Sequence, residues 1–261
     1  MPATGAPTKR RVAPVTTDAN PAEPGWDDHA DWWIDGFTGG VDPEYEEQII
    51  PLALEELAGS GTVLDVGCGE GQIARALASA GCTVTGIDPT GRNLEVARER
   101  GGGPTYVSAG ADDIPFGDAS FDAVVACLVF EHIDTLDAAV SEVARVLRPG
   151  GRFAFFLNHP LLQTPGSGWI DDHIIDPPEQ YWRIGPYLTE TATLEEVEPG
   201  VHIRFVHRPL SRYVNCLAAH GLFVERMVEP SPPPGFLARA PEYALAHTVP
   251  RLLYLRTGKR T

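Results

Sequence analysis

From residue 62 onward the chain alternates between short apolar runs and longer stretches in which apolar residues recur every three or four positions. The runs cover 62–66, 83–88, 105–108, 121–128 and 152–157; each is too short for a helix and is bounded by turn-forming or polar residues. Helical periodicity fills the gaps at 72–80, 91–100 and 136–147. In the last of these, Leu136, Val140, Val143 and Leu147 fall at three- and four-residue steps before Pro149-Gly150-Gly151 ends the helix. Such alternation predicts a parallel sheet covered on both faces. A helix at 209–220 and strands at 222–228 and 251–256 follow, with the breaker Pro230-Ser231-Pro232-Pro233-Pro234-Gly235 before the final strand.

Upstream, 42–58 reads as a helix with Tyr45, Ile49, Leu52 and Leu57 partly on one face, which Pro51 either kinks or restarts. The segment 26–37 is abruptly aromatic, with Trp26, Trp32, Trp33 and Phe37. Residues 1–25, rich in Pro, Ala and Thr and without apolar period, read as a disordered tail. One domain spans 26–261, its core about 42–157 and 208–257. An insertion at 158–207, including a strand at 201–206, leaves the carboxyl edge of the sheet, where it is positioned to cap a ligand and select a substrate.

The chemistry begins at Val63-Leu64-Asp65-Val66-Gly67-Cys68-Gly69-Glu70-Gly71, a buried-strand pattern running into a glycine-dense turn and a helix. Glycine suits such a turn because it tolerates positive φ and lets backbone approach a ligand. Asp88 ends the next strand at the spacing from which an acid accepts ribose hydroxyls. The third glycine comes one residue too early for the dinucleotide fingerprint GxGxxG, Gln72 standing in its place, and Asp65 lies inside the strand. A carboxylate there would repel a pyrophosphate and favour an ammonium group. The arrangement suits S-adenosylmethionine, a nucleoside with an amino-acid end; a nicotinamide-dependent oxidoreductase is the alternative.

With these motifs in place, the chain resembles class I S-adenosylmethionine-dependent methyltransferases of the small-molecule, methyltransferase type 11-like kind. The resemblance runs in one order through the turn, Gly86-Ile87-Asp88, Ala111-Asp112-Asp113-Ile114-Pro115-Phe116, Ser120-Phe121-Asp122, Glu131-His132-Ile133 and Leu147-Arg148-Pro149-Gly150-Gly151, covering about 59–157. It implies an α/β, Rossmann-like, doubly wound fold: a mostly parallel seven-stranded sheet with an antiparallel C-terminal strand and a capping insertion after strand five. It implies methyl transfer to an O, N or C atom of a small molecule. A non-catalytic protein that binds or senses S-adenosylmethionine remains a further alternative.

The cofactor residues so implied are Asp65 for the methionine amino group; backbone of Gly67, Cys68 and Gly69; Asp88 and Pro89 by the ribose and adenine; the Ala111-Asp112-Asp113-Ile114 loop for adenine; and Cys127, Leu128 and Val129 near the methionine. Gly110 stands where similar enzymes carry an acid, which leaves Asp112 to receive the adenine amine. His159 and His132, at the carboxyl ends of strands five and four, are the candidate bases, with His159 preferred because it opens the insertion. His159 equally suits a loop-fixing role. Trp33 belongs to a helix that either folds over the cofactor or anchors to the core. Trp169, Tyr181, Trp182 and Tyr187 are candidates for an apolar substrate wall or for the insertion's own packing, and His207 and Arg208 for an anionic substrate group.

Composition narrows the partners. At 261 residues and 43% hydrophobic content the chain can bury a full core. A net charge of −16 disfavours nucleic acid, the one basic run being Lys9-Arg10-Arg11. Four scattered cysteines without a CxxC pair give no metal site and suit a reducing compartment. No apolar run suits a bilayer or a signal peptide, so the expectation is a cytoplasmic monomer or homodimer acting off the membrane.

Overall fold

A computed structural model of the protein describes residues 12–14, 25–239, 241 and 245–260. The predicted strands and helices fall almost residue for residue: β2 (Thr62–Val66), α3 (Gln72–Ser79), β3 (Thr83–Asp88), α4 (Gly91–Arg100), β4 (Thr105–Ser108), β5 (Phe121–Cys127) and α5 (Leu136–Val146). After β6 (Leu147–Asn158), the core resumes with α7 (Leu210–Ala219), β11 (Leu222–Val228) and β12 (Leu252–Lys259). They form one seven-stranded sheet in the order β11-β12-β6-β5-β2-β3-β4. Only β12 runs antiparallel to its neighbours.

β6 shows why the sheet needs helices on both faces. Phe153 and Phe155 stack at 4.9 Å and enter one core cluster with Phe130 and the α5 residues Leu136, Val140 and Val143. The intervening Ala154 and Phe156 enter the other, where Phe156 meets Tyr254 at 4.6 Å. Both sets are fully buried, so neither face of the strand tolerates a polar residue.

Pro51 restarts the upstream helix rather than merely bending it. A π-helical turn, Tyr45–Ile49, runs into α2 (Ile50–Leu57), with Pro51 in its first turn, where a missing N–H costs little. The aromatic segment forms α1 (Trp26–Phe37). In the predicted tail the backbone of β1 (Val12–Pro14) pairs with β9 (Thr191–Glu198), a strand that composition did not reveal; the rest of 1–24 lies outside the described residues.

The insertion contains more structure than the one strand expected. After α6 (Pro160–Gln163) come a hairpin of β7 (Gly168–Asp172) and β8 (Glu179–Arg183), then β9 paired with β10 (Val201–His207). The first hairpin is marked by cross-strand partners Trp169 and Trp182, edge to face at 5.6 Å. The chain then passes α8 (Pro234–Leu237) before entering β12.

Candidate functional site

The carboxyl ends of β2, β3 and β5 open onto a cavity of about 350 Å³, within the ~300–1,000 Å³ common for small-molecule sites. Its floor is the glycine turn. Gly67 has φ +68°, and a Cβ there would lie 2.4 Å from Cγ2 of Val129, so this corner accepts glycine alone. Across the cavity Leu128, a non-glycine, holds φ +55° as the chain leaves β5. Such a conformation persists only where surrounding packing enforces it.

Asp65 is buried in the wall, its Oδ2 without a hydrogen-bond partner. Burial, then the neighbouring Asp88 charge, pushes its carboxyl up to about 7, against the lowering effect of the Ala74 N–H. Asp88 accepts the Gly69 N–H at Oδ2 (2.9 Å) and the Thr90 N–H at Oδ1 (2.8 Å), pinning the turn to β3. Its remaining lone pairs border the cavity. Burial outweighs these hydrogen bonds and raises its pKa.

Glu70 is almost wholly buried between Arg75 (2.5 Å) and Arg100 (2.6 Å), while its Oε1 is left unpartnered. Arg100 also donates to the Thr38 hydroxyl at 3.0 Å, at the C-cap of α1, and so ties that helix to the turn. Trp26 and Trp33 of α1 line the cavity, and Trp33 also stacks on Phe37 at 4.6 Å. The helix therefore both anchors itself and covers the site. Beyond β3 the wall continues through Pro89, Ala109, Gly110, Ala111 and Asp112. A Cβ on Gly110 would lie 2.8 Å from Asp112 Oδ1; the glycine gives that carboxylate room. Thr135 holds the other oxygen at 2.8 Å.

His132 lines the opposite end, half-buried and edge-on to Trp26 at 4.9 Å. Its Nδ1 lies 2.8 Å from the Arg204 carbonyl, which can only accept, so Nδ1 carries the proton and Nε2 keeps its lone pair. Burial pushes the ring pKa down to about 4, which leaves it neutral near pH 7.

Of the predicted residues, Trp33, Asp65, Gly67, Cys68, Gly69, Asp88, Pro89, Ala111, Asp112, Cys127, Leu128, Val129 and His132 meet around this one cavity. The others do not. Asp113 is exposed, and Ile114 turns into the core with its N–H on Glu142 (2.9 Å). His159 caps α6: Nδ1 accepts the Leu161 N–H at 3.1 Å, so Nε2 bears the proton donated to Glu229 at 2.7 Å. Both nitrogens are engaged, and the ring is not among the residues that line the cavity.

Trp169, Tyr181 and Trp182 build the β7–β8 hairpin instead of the cavity wall. His207 binds the Tyr187 carbonyl at 2.8 Å, and Tyr187 in turn receives the Leu210 N–H. Arg208 is buried against the carbonyls of Phe130, Ile133 and Asp134, bracing the loop that carries His132 rather than binding an anion. Asp137, Cys216 and His220 also bring metal-ligand types together, away from the cavity, with Asp137 paired to Arg212.

Sequence reasoning missed Tyr45, Thr90 and Asn93 as wall residues. Tyr45 was visible only as an apolar-face position; the neighbouring proline is a signal for the irregular turn that aims it inward.

The site's polarity tests the cofactor. Three wall atoms are buried without partners, Asp65 Oδ2, Glu70 Oε1 and Asn93 Oδ1, and all accept hydrogen bonds. A ligand rich in donors satisfies them: S-adenosylmethionine offers an ammonium, ribose hydroxyls and an exocyclic amine. The sheet order and the place of the site are similar to those of class I S-adenosylmethionine-dependent methyltransferases.

Residues 64–155 match the family described as "Methyltransferase domain". Over 93 residues the chain is 43% identical to a malonyl-[acyl-carrier protein] O-methyltransferase of Enterobacter lignolyticus, covering 36% of this chain and 37% of that protein. An uncharacterized methyltransferase of Synechocystis sp. is 38% identical over 152 residues, 56% of this chain and 66% of its own length. The chain thus spans between about a third and two thirds of these curated relatives. A crystal structure of an S-adenosylmethionine-dependent methyltransferase from Mesorhizobium loti superposes with TM-score 0.68 at 27% identity, covering 80% of this chain and 96% of that one.

Proposed function

We propose that the protein transfers the methyl group of S-adenosylmethionine to an oxygen or nitrogen of a small-molecule acceptor, with His132 receiving the acceptor's proton. The observation that carries this reading is the meeting, around one cavity, of residues that hold three buried unpartnered acceptor atoms with a neutral, tautomer-fixed histidine. When bound, S-adenosylmethionine supplies an electrophilic carbon: the acceptor's lone pair forms the new bond as the carbon–sulfur bond breaks and its electron pair stays on sulfur.

The chain's own work is positioning. In this reading Asp65 holds the ammonium, Asp88 the ribose hydroxyls and Asp112 the adenine amine, while Gly67, Cys68 and Gly69 allow close backbone approach. Trp26 and Trp33 exclude water. His132 is a weak base, which is sufficient because the acceptor's proton becomes strongly acidic as the new bond forms. Nε2 takes it, and the Arg204 carbonyl stabilises the resulting imidazolium through Nδ1–H.

The setting is taken to be the cytoplasm, with the protein a monomer or homodimer and neither nucleic acid nor membrane involved. The net charge of −16 and four unpaired cysteines support this, and no helix among the described residues is long and apolar enough to cross a membrane. Calorimetric titration with S-adenosylhomocysteine tests the site: micromolar affinity, about −8 kcal/mol, is expected, and no binding to folded protein overturns the reading. On an acceptor found by screening, His132→Gln is expected to lower kcat about 100-fold or more with S-adenosylhomocysteine affinity retained. Unchanged kcat removes His132 from the mechanism.

A further inference from the structure

The acceptor's charge and shape can be narrowed by asking what remains of the cavity wall once the groups suited to the cofactor are set aside. Besides Thr38, Gln72 and Ile73, what remains is Trp26, Trp33, Tyr45, His132 and Ile133. The rings form a continuous edge-to-face series: Tyr45 to Trp33 at 6.2 Å, Trp33 to Trp26 at 5.9 Å, and Trp26 to His132 at 4.9 Å. Beyond it Phe205 backs His132 at 4.7 Å. Such a wall favours a flat, conjugated ligand whose edge or face can complete the series.

Its charge is one-sided. Four carboxylates, Asp65, Glu70, Asp88 and Asp112, line the cavity, and among the described residues no lysine or arginine does. Glu70 is compensated by Arg75 and Arg100, and Asp65 would be compensated by a ligand ammonium. Asp88 and Asp112 remain, facing a site whose other end is neutral. The guanidiniums that brace the His132 loop are committed as well: Arg208 to three carbonyls and Arg204 to Asp134. An anionic acceptor would therefore enter a negative field without a cation to meet it.

Resting on the methyl-transfer reading, we propose that the acceptor is an uncharged, flat aromatic or conjugated molecule presenting a hydroxyl or amine to His132, and that the site rejects acceptors bearing a carboxylate or phosphate. Titration of S-adenosylhomocysteine-saturated protein with 2-naphthol and with 6-hydroxy-2-naphthoate tests this with the carboxylate as the single change. The neutral probe is expected to bind at least about tenfold tighter, about 1.4 kcal/mol. In Ile133→Lys, which places a cation on the neutral wall, that ratio is expected to fall to about one or reverse.

Equal binding of the two probes by the wild type, or binding of neither, overturns the proposal while leaving the cofactor reading intact. Failure to bind S-adenosylhomocysteine in the first place overturns the cofactor reading instead. Should Ile133→Lys not fold, the wild-type ratio alone decides.

Discussion

Asp65→Asn isolates the electrostatic cost of keeping the site ready for a cation. In the unfolded chain the carboxyl titrates near 3.8; in the folded protein burial and the Asp88 charge bring it to about 7. Between these values the native state holds a proton that the unfolded chain has released. Stability therefore falls as pH rises through that window, and the full penalty is present above about pH 7. A gap of about three units corresponds to about 4 kcal/mol at its upper bound. Asparagine carries no such penalty, so the stability difference between variant and wild type should widen by about 2–3 kcal/mol from pH 5 to pH 8 in denaturant unfolding. Glu131, also pushed up to about 7 by burial, affects both proteins alike and cancels.

Binding should show the mirror image. A ligand ammonium beside Asp65 restores the ionised form, so S-adenosylhomocysteine binding releases a proton below about pH 7. Wild-type affinity then gains up to about tenfold per pH unit until that point, while the variant lacks this dependence and binds more weakly at pH 8. Parallel unfolding curves for the two proteins between pH 5 and pH 8 would refute the reasoning.

Two further substitutions probe the frame around the site. Gly67→Ala combines an unfavourable φ with a clash against Val129, and is expected to cost about 2 kcal/mol or more and to abolish S-adenosylhomocysteine binding; native-like unfolding and calorimetry would show the corner to be more pliable than drawn. His159→Ala removes a helix cap and the Glu229 contact, so about 1–2 kcal/mol of stability should be lost with cofactor affinity within about twofold. Lost turnover at unchanged stability would return His159 to the catalytic candidates.

The core strands were legible because burial on both faces demands unbroken apolar runs, and those runs end at residues with unmistakable turn chemistry, as at Gly67; at Gly150 that chemistry misled, since β6 begins at Leu147 and runs through it. The part of the cavity around the glycine turn was legible for the same reason: Asp65 and Asp88 sit at fixed offsets from their strands, and a sheet carries its strand ends to one edge. The aromatic part was not. His132 and His159 both end strands, and only three-dimensional hydrogen bonding separates a histidine with a free lone pair from one with both nitrogens engaged. Trp169 and Trp182 were indistinguishable from pocket walls because two aromatic residues thirteen positions apart give no sign that they face each other across a hairpin. Tyr45 was legible as a buried-face position with Ile49 and Leu57, which is where it lies, but an apolar-face position does not tell a cavity wall from a core residue.

The alternative of a nicotinamide cofactor fails on polarity before it fails on resemblance. A dinucleotide's pyrophosphate needs donors, and a turn that binds it presents N–H groups with no competing charge. Here the Gly69 N–H is already spent on Asp88, and the buried atoms left without partners are acceptors, on Asp65, Glu70 and Asn93. Each such acceptor costs about 1–3 kcal/mol while it stays unmet. Both ligands bring ribose hydroxyls, but a pyrophosphate adds acceptors and negative charge, whereas an ammonium supplies donors and positive charge. The same accounting explains the two arginines behind Glu70: they neutralise the carboxylate that a cation would otherwise have to share with Asp65, and through Thr38 one of them couples that neutralisation to the placement of α1 over the cavity.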